Sequence, residues 1–246
     1  MLALPISVVI ITKNEEASIA RAIASVKSIC EDIVVIDSGS TDATKQVAQN
    51  LGARVFEQEW LGYSKTKNKG NELAKHKYVF SLDADEAFSA ELIEGLKHVF
   101  ASEPRFAVYK VNRLNHFAGR PITHGAWYPD WQYRLFDKTQ HQWQETDEVH
   151  ENLNWNQNTA IGTLEGNLLH FTTETEAYYL KKMETYARLF AAKRKASGKG
   201  SNPLKAYSSA YFRFFKEYIL QAGFLDGQAG YKIAKAHFVY TKGKYL

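Results

Sequence analysis

The chain has 246 residues, 45% hydrophobic and 24% charged, with a single cysteine, Cys30. These proportions fit a globular protein with a substantial core, and they exclude a disordered chain, a disulfide scaffold and a cysteine-based metal site. The formal net charge of +4 is too small to argue for nucleic acid, and no apolar run is long enough to cross a bilayer. Residues 1–5 carry neither a basic cluster nor a cleavage pattern, so no secretory leader is expected and a reducing, cytoplasmic setting fits.

The β-branched run over residues 6–12 predicts a first strand, followed by a polar turn and a helix over 17–28 with Ile19, Ile23 and Val26 on one face. A second strand over 32–36 ends at Asp37. A tight loop then leads to a helix starting near Ala43, with Ser40 or Thr41 as its N-cap. Strands over 54–56 and 78–82 flank a helix over 64–75. Strand alternating with helix predicts a parallel α/β sheet with right-handed connections. A helix over 89–101 and an alternating strand over 107–113 follow, then an aromatic and charged stretch in which Trp131, Tyr133 and Phe136 read as core. Residues 168–171 read as the last strand. Thr173 and Glu176 have capping-box spacing before a helix that stops at Gly198, and Pro203 opens another helix.

Ligands of such sheets sit beyond the carboxyl ends of the strands. Polar clusters fall there at residues 12–15, 37–42 and 83–86, and the topology predicts that they converge. Asp83 and Asp85 at the end of a buried strand are costly unless compensated, and Mg²⁺ or Mn²⁺ is the usual compensation, with room left for substrate phosphates. The Gly-x-Gly-x-x-Gly fingerprint is absent after the first strand, which argues against nicotinamide chemistry, and the Walker lysine loop is absent too, which excludes a P-loop NTPase. Lys65, Lys67, Asn68 and Lys69 suit either a diphosphate or a solvated helix face. Rings beside charged groups suit a sugar, and Trp127 and Arg134 are the open candidates for an acceptor contact. Residues 145–151 form a second acidic cluster able to supply a general base.

Three blocks in order, Val8-Val9-Ile10-Ile11-Thr12-Lys13-Asn14-Glu15, Val34-Val35-Ile36-Asp37-Ser38-Gly39-Ser40-Thr41-Asp42 and Leu82-Asp83-Ala84-Asp85, resemble the inverting glycosyltransferases of family 2. The resemblance implies the Rossmann-like GT-A fold, a mostly parallel sheet flanked by helices, here with a C-terminal helical extension. It implies a nucleotide-sugar site at Thr12, Asn14, Glu15, Asp37, Lys67, Asn68 and Asp83, with the divalent metal on Asp85; His150 is a candidate to complete the metal shell, since imidazole accompanies carboxylates at Mn²⁺ sites. It also implies a downstream base: Glu151 first, Glu148 second and Asp130 third. Arg134-Leu135-Phe136, Val149-His150-Glu151 and residues 223–230 resemble a bacterial subgroup that adds β-linked glucose to the inner-core heptose of lipopolysaccharide. The expected organisation is a catalytic domain over 1–172, with a nucleotide-sugar half up to residue 100 and an acceptor half after it, and an extension over 173–246.

From Ser201 onward seven Lys and Arg face two acids, a balance of +5 that leaves −1 for the first two hundred residues. Leu204, Tyr207, Tyr211, Phe214 and Tyr218 form an aromatic stripe among Lys205, Arg213 and Lys216, the pattern of an interfacial membrane helix. The expectation is therefore a UDP-sugar donor, a lipid-linked saccharide acceptor and peripheral association with the cytoplasmic face of the inner membrane. Rival readings are a family 2 enzyme with another donor or acceptor, a non-catalytic nucleotide-sugar or glycan-binding module, and a nucleotidyltransferase.

Overall fold

The computed structural model describes residues 3–145, 152–155, 159–173 and 175–246. They form two compact units, one of residues up to Arg113 with Trp131–His170, the other of Leu114–Asp130 with Phe171–Leu246. Residues 114–130, expected in the acceptor half, thus group with the helical extension.

The first unit begins with β1 (Ile6–Thr12), α1 (Ile19–Val26), β2 (Asp32–Asp37), α2 (Thr44–Asn50), β3 (Arg54–Glu57), α3 (Tyr63–Leu73) and β4 (Tyr78–Asp83). β5 (Glu86–Phe88), α4 (Ala90–Val99), β6 (Val108–Phe117), β8 (Trp131–Asp137) and β9 (Ile161–Thr173) complete it, with the ends of β6 and β9 and all of β7 (Arg120–Pro121) in the other unit. The sheet order is β3-β2-β1-β4-β8-β6-β9-β5. β3, β2, β1 and β4 pair in parallel, with Val9 opposite Val34 and Ile10 opposite Leu82. Both faces of this half are covered, which is why its strands read as continuous apolar runs. Ile6, Val8 and Ile10 pack with Ile19 and Ile23 of α1, while Val9, Val34, Ile36 and Val79 form the core of the opposite face. α3 lies close on that face because Gly70 has no side chain; a Cβ there would fall 2.3 Å from Val9 Cγ1.

Beyond β4 the pairing turns antiparallel, through β8 on β4 and on β6, and β9 on β5. This half departs most from the sequence reading. β5 and β8 had no counterpart there, and β9 extends over 13 residues where four were expected. Of the rings taken as core, Phe136 is fully buried and Tyr133 packs on Trp155, but Trp131 is 44% exposed with Lys110 over its face. It stands at the start of β8, where the strand is uncovered.

The second unit carries α5 (Glu176–Ala196), α6 (Pro203–Phe215), a π-helical turn over Lys216–Leu220 and α7 (Gly227–Gly243). Phe117, Ile122, Tyr179 and Ile233 form its core. A polar chain runs through it: the Tyr179 hydroxyl lies 2.7 Å from His237 Nε2, His237 Nδ1 lies 2.6 Å from Glu217, and Arg213 Nε donates to Glu217 at 2.7 Å. The N-cap of α5 is Thr175, which accepts from Tyr178 N, so the capping-box spacing from Thr173 is two residues early. Among the described residues no helix is long and apolar enough to cross a membrane.

Candidate nucleotide-sugar site

The carboxyl ends of β1 and β4 open onto a cavity of about 540 Å³. Thr12, Lys13 and Glu15 line it from the first strand, Asp83, Ala84 and Asp85 from the fourth, and His170 from β9. Trp60 and Tyr63, packed edge to face at 4.8 Å, add two half-exposed rings to the wall. In the sequence this stretch stands out for its lysines rather than its rings.

The two acids of the Asp-x-Asp block have separate work. Asp83 is gripped from both sides, by Lys67 Nζ at 3.0 Å and Arg134 Nη2 at 2.6 Å. Burial alone would raise its carboxyl, but the Arg134 and Lys67 charges outweigh that and hold it well below the usual carboxylate range. Arg134 also donates to fully buried Glu86 at 2.6 Å, and Arg113 stands 3.6 Å from the same oxygen. Glu86 in turn accepts from the Asp83 backbone N–H at 3.0 Å. Burial pushes the Glu86 carboxyl up against the pull of Arg134, with the Asp83 charge adding to the rise. Asp85 instead faces the cavity, its side chain 38% exposed, with His170 Nε2 3.2 Å from Oδ2. Among the described residues no three of His, Cys, Asp and Glu gather as a metal-ligand set; on this wall Asp85 and His170 are the carboxylate and imidazole in contact.

The first-strand and second-strand loops are sewn together. Asn14, at φ 56°, donates its backbone N–H to Ser40 Oγ and accepts from Thr41 N, both at 2.8 Å. Glu15 N donates to Thr44 Oγ1 at 2.8 Å. Asp37 is fully buried and accepts from Gly39 N and Ser40 N, closing its own turn. Asp42 accepts from Thr44 N just ahead of α2, whose N-cap position is Ala43, so neither Ser40 nor Thr41 caps the helix. Thr12 Oγ1, by contrast, is buried with no hydrogen-bond partner among the described residues. Glu15 has its carboxyl raised by burial, opposed by Ser18 and reinforced by the charge of Asp85.

On α3, Lys67 is 1% exposed and stands 5.1 Å from the Trp143 ring. Asn68 makes a reciprocal pair with the Trp143 backbone, both bonds at 2.9 Å, and also donates to Glu145. Arg134, expected at the acceptor, is 3% exposed and committed to Asp83 and Glu86. Trp127 packs on Tyr179 and Phe117 in the second unit, where Asp130 accepts from Asn115. Glu148, His150 and Glu151 lie outside the described residues. His170 is the residue the sequence reading missed as a site member. It appeared there only as part of a strand, and nothing local ties it to an acid 85 positions earlier.

A parallel βαβ half feeding an acidic cavity through an Asp-x-Asp strand end defines the GT-A class of glycosyltransferase folds. The family model for glycosyl transferase family 2 matches residues 7–163, and the chain belongs to that family. It is 43% identical over 116 residues to an uncharacterized glycosyltransferase of Rickettsia typhi, covering 46% of this chain and 40% of that one. The chain thus spans well under half the length of the rickettsial relatives it matches. It is 28% identical over 243 residues to the lipopolysaccharide core biosynthesis glycosyltransferase LpsC of Rhizobium meliloti, covering 97% of this chain and 89% of that one. The crystal structure of residues 1–349 of S. aureus TarS superposes with a TM-score of 0.52 at 18% identity, over 74% of this chain and 64% of that one, a likeness of fold.

Proposed function

We propose that the chain is an inverting, metal-assisted glycosyltransferase that moves a sugar from a UDP-sugar to a lipopolysaccharide inner-core heptose, with glucose the first sugar to test. The observation that carries the proposal is the division of the Asp-x-Asp pair: Asp83 is locked by Lys67 and Arg134, while Asp85 meets His170 on the cavity wall. One carboxylate and one imidazole fit a divalent cation whose remaining positions go to water and diphosphate oxygens, and the imidazole suits Mn²⁺ better than Mg²⁺. Asp85 and His170 would hold it, and when bound it supplies positive charge against the departing diphosphate. His150, the ligand expected from sequence, remains a second candidate.

The chain's own residues do the rest. The buried Thr12 hydroxyl awaits a polar partner on the donor, and Trp60 and Tyr63 offer flat faces to a base or sugar ring. Asn14 and Asp37 hold the two loops that frame the nucleotide, and Asn68 holds the strand-end loop through Trp143. The acceptor oxygen attacks the anomeric carbon as the bond to the diphosphate breaks. UDP leaves with that electron pair, and the hydroxyl proton passes to Glu151, with Glu148 and then Asp130 as the next candidates. Similarity to LpsC over nearly the whole chain supports a core-saccharide acceptor. Such an acceptor is lipid-linked, which brings peripheral association with the cytoplasmic face of the inner membrane into the reading.

The test is UDP release from a panel of UDP-sugars, with and without chelator, for the wild type, Asp85→Ala and His170→Ala. The expected result is release from one sugar, abolished by chelator and restored by Mn²⁺. A loss of about 10³-fold in Asp85→Ala, with unchanged melting, matches removal of a charge-stabilising group. Pyrophosphate as the product would replace the reading with nucleotidyl transfer, and UDP binding without transfer to core saccharide would leave a binding module.

A further inference from the structure

Charge is distributed unevenly within the helical unit. Residues 185–216 and 227–246 together hold twelve Lys and Arg and no Asp or Glu. The fold brings many of these cations to one end of the bundle, where α5 and α7 finish and α6 begins. Arg194, Lys195, Lys199 and Lys244 line a cleft of about 360 Å³ there. Three cations share one ring: Arg194 stands 4.9 Å, Lys205 5.0 Å and Lys244 5.9 Å from the centre of Tyr245. Lys244 is also 4.5 Å from Phe190. Among the described residues none of these cations has a carboxylate within ion-pair distance; the ion pairs of α5, Glu184–Arg188 and Glu176–Lys232, involve none of them.

Basic residues in the last turn of a helix are favoured by its dipole, which accounts for Lys193, Arg194 and Lys195 on α5. It does not account for Lys199 in the loop or Lys205 in the first turn of α6, where the dipole is unfavourable. Nor does it explain the apolar side chains that share this end. Leu204 is 84% exposed, Leu189 is 62% exposed, and Phe190 and Tyr207 are about half as open. A soluble anion would need the cations alone. Unpaired cations interleaved with protruding leucines and aromatic rings suit a surface that is anionic in its outer layer and apolar beneath, with rings at the boundary and leucines below it.

We infer that this bundle end is the docking face for an anionic lipid bilayer: lipid phosphates enter the Arg194–Lys199–Lys244 cleft, and Leu189, Phe190 and Leu204 sit in the acyl boundary. The inference rests on the membrane-surface part of the proposed function and moves it from the aromatic stripe of α6 to the meeting point of three helices. The outer stripe, with Tyr211, Phe212 and Phe215 exposed, is the rival contact.

Flotation with vesicles of phosphatidylcholine, alone or mixed with phosphatidylglycerol, tests it on the full chain. The wild type is expected to float only with the mixed vesicles and to be released by salt. Each lysine near an anionic surface adds a factor of about five, so Lys199→Gln with Lys244→Gln is expected to weaken flotation roughly 25-fold. Leu204→Ser is expected to weaken it as well, while Phe212→Ser with Phe215→Ser leaves it unchanged. Loss in the phenylalanine variant with retention in the lysine variant would overturn the location. Equal binding to phosphatidylcholine alone, or lysine-dependent self-association without flotation, would overturn the lipid as occupant. UDP release measured on the same samples separates the two readings: flotation without release sinks the proposed transferase, and release without flotation sinks this inference.

Discussion

The two units handle charge in opposite ways. At the strand ends Lys67, Arg134 and Arg113 are matched against Asp83 and Glu86 before any ligand arrives. At the bundle end Arg194, Lys195, Lys199, Lys205 and Lys244 have no acid among the described residues to meet. A buried charge without a partner is too costly to keep, so the first arrangement had to be closed; an exposed one costs little, so the second can stay open. Charges that satisfy one another fix a shape, whereas charges left over indicate something outside the chain.

The largest effect is expected at Arg134, which pairs with both strand-end acids. Arg134→Met leaves fully buried Glu86 and partly buried Asp83 facing each other with one guanidinium fewer, and a loss of about 3 kcal/mol in denaturant unfolding is expected. A loss below 1 kcal/mol would mean that the network is not what holds β4 to β8.

A smaller effect sharpens the contrast inside the helical unit, whose interior is paired even though its end is not. Burial alone would raise the Glu217 carboxyl, but hydrogen bonds and charges from His237 and Arg213 take it below its ordinary range. Its folded value is depressed, so its contribution is complete above the unfolded carboxylate range and is lost as pH falls through the folded value. Melting temperature should therefore drop between about pH 4.5 and more acid conditions, and drop less steeply in Glu217→Gln. Parallel curves for the two proteins would remove Glu217 from the account.

The smallest effect belongs to the open end. Lys199→Gln with Lys244→Gln should shift melting by no more than about 2 °C, upward if at all, since the lysines repel one another and touch no acid. Added salt should raise the wild type and leave the variant nearly where it was. A clear destabilisation would show that these lysines hold the fold rather than wait for a partner.

How much of this was legible in sequence follows the same physics. The parallel half announced itself because strands covered on both faces are apolar without interruption, as in Val8–Ile11 and Val34–Ile36. β8 did not, because Trp131-Gln132-Tyr133-Arg134 mixes an exposed ring with a buried cation whose partners lie about fifty residues earlier. The strand-end acids were readable as a cleft, and Asp83 and Asp85 do line one. Their different work was not readable, since it depends on Arg134 and His170 arriving from other strands. Asp37 and Asn14 carry their polar groups into the loops they belong to, which a motif cannot distinguish from groups held out to a ligand.

His170 reaches Asp85 because of where it falls along β9. It sits opposite Glu86, with Leu169 opposite Ala87 and Leu168 opposite Phe88. A few residues before it, Gly166 adopts φ 86° where any side chain would strike the backbone of Leu92, so the strand is anchored there. Successive strand residues face opposite ways, and losing or gaining one residue between these points would turn the imidazole from the cavity while the ladder re-formed. A relative could thus keep every letter of Leu82-Asp83-Ala84-Asp85, keep its fold, and still lack the imidazole beside Asp85. The distance counted from glycine to histidine therefore decides whether an imidazole meets Asp85, as much as the acids themselves do.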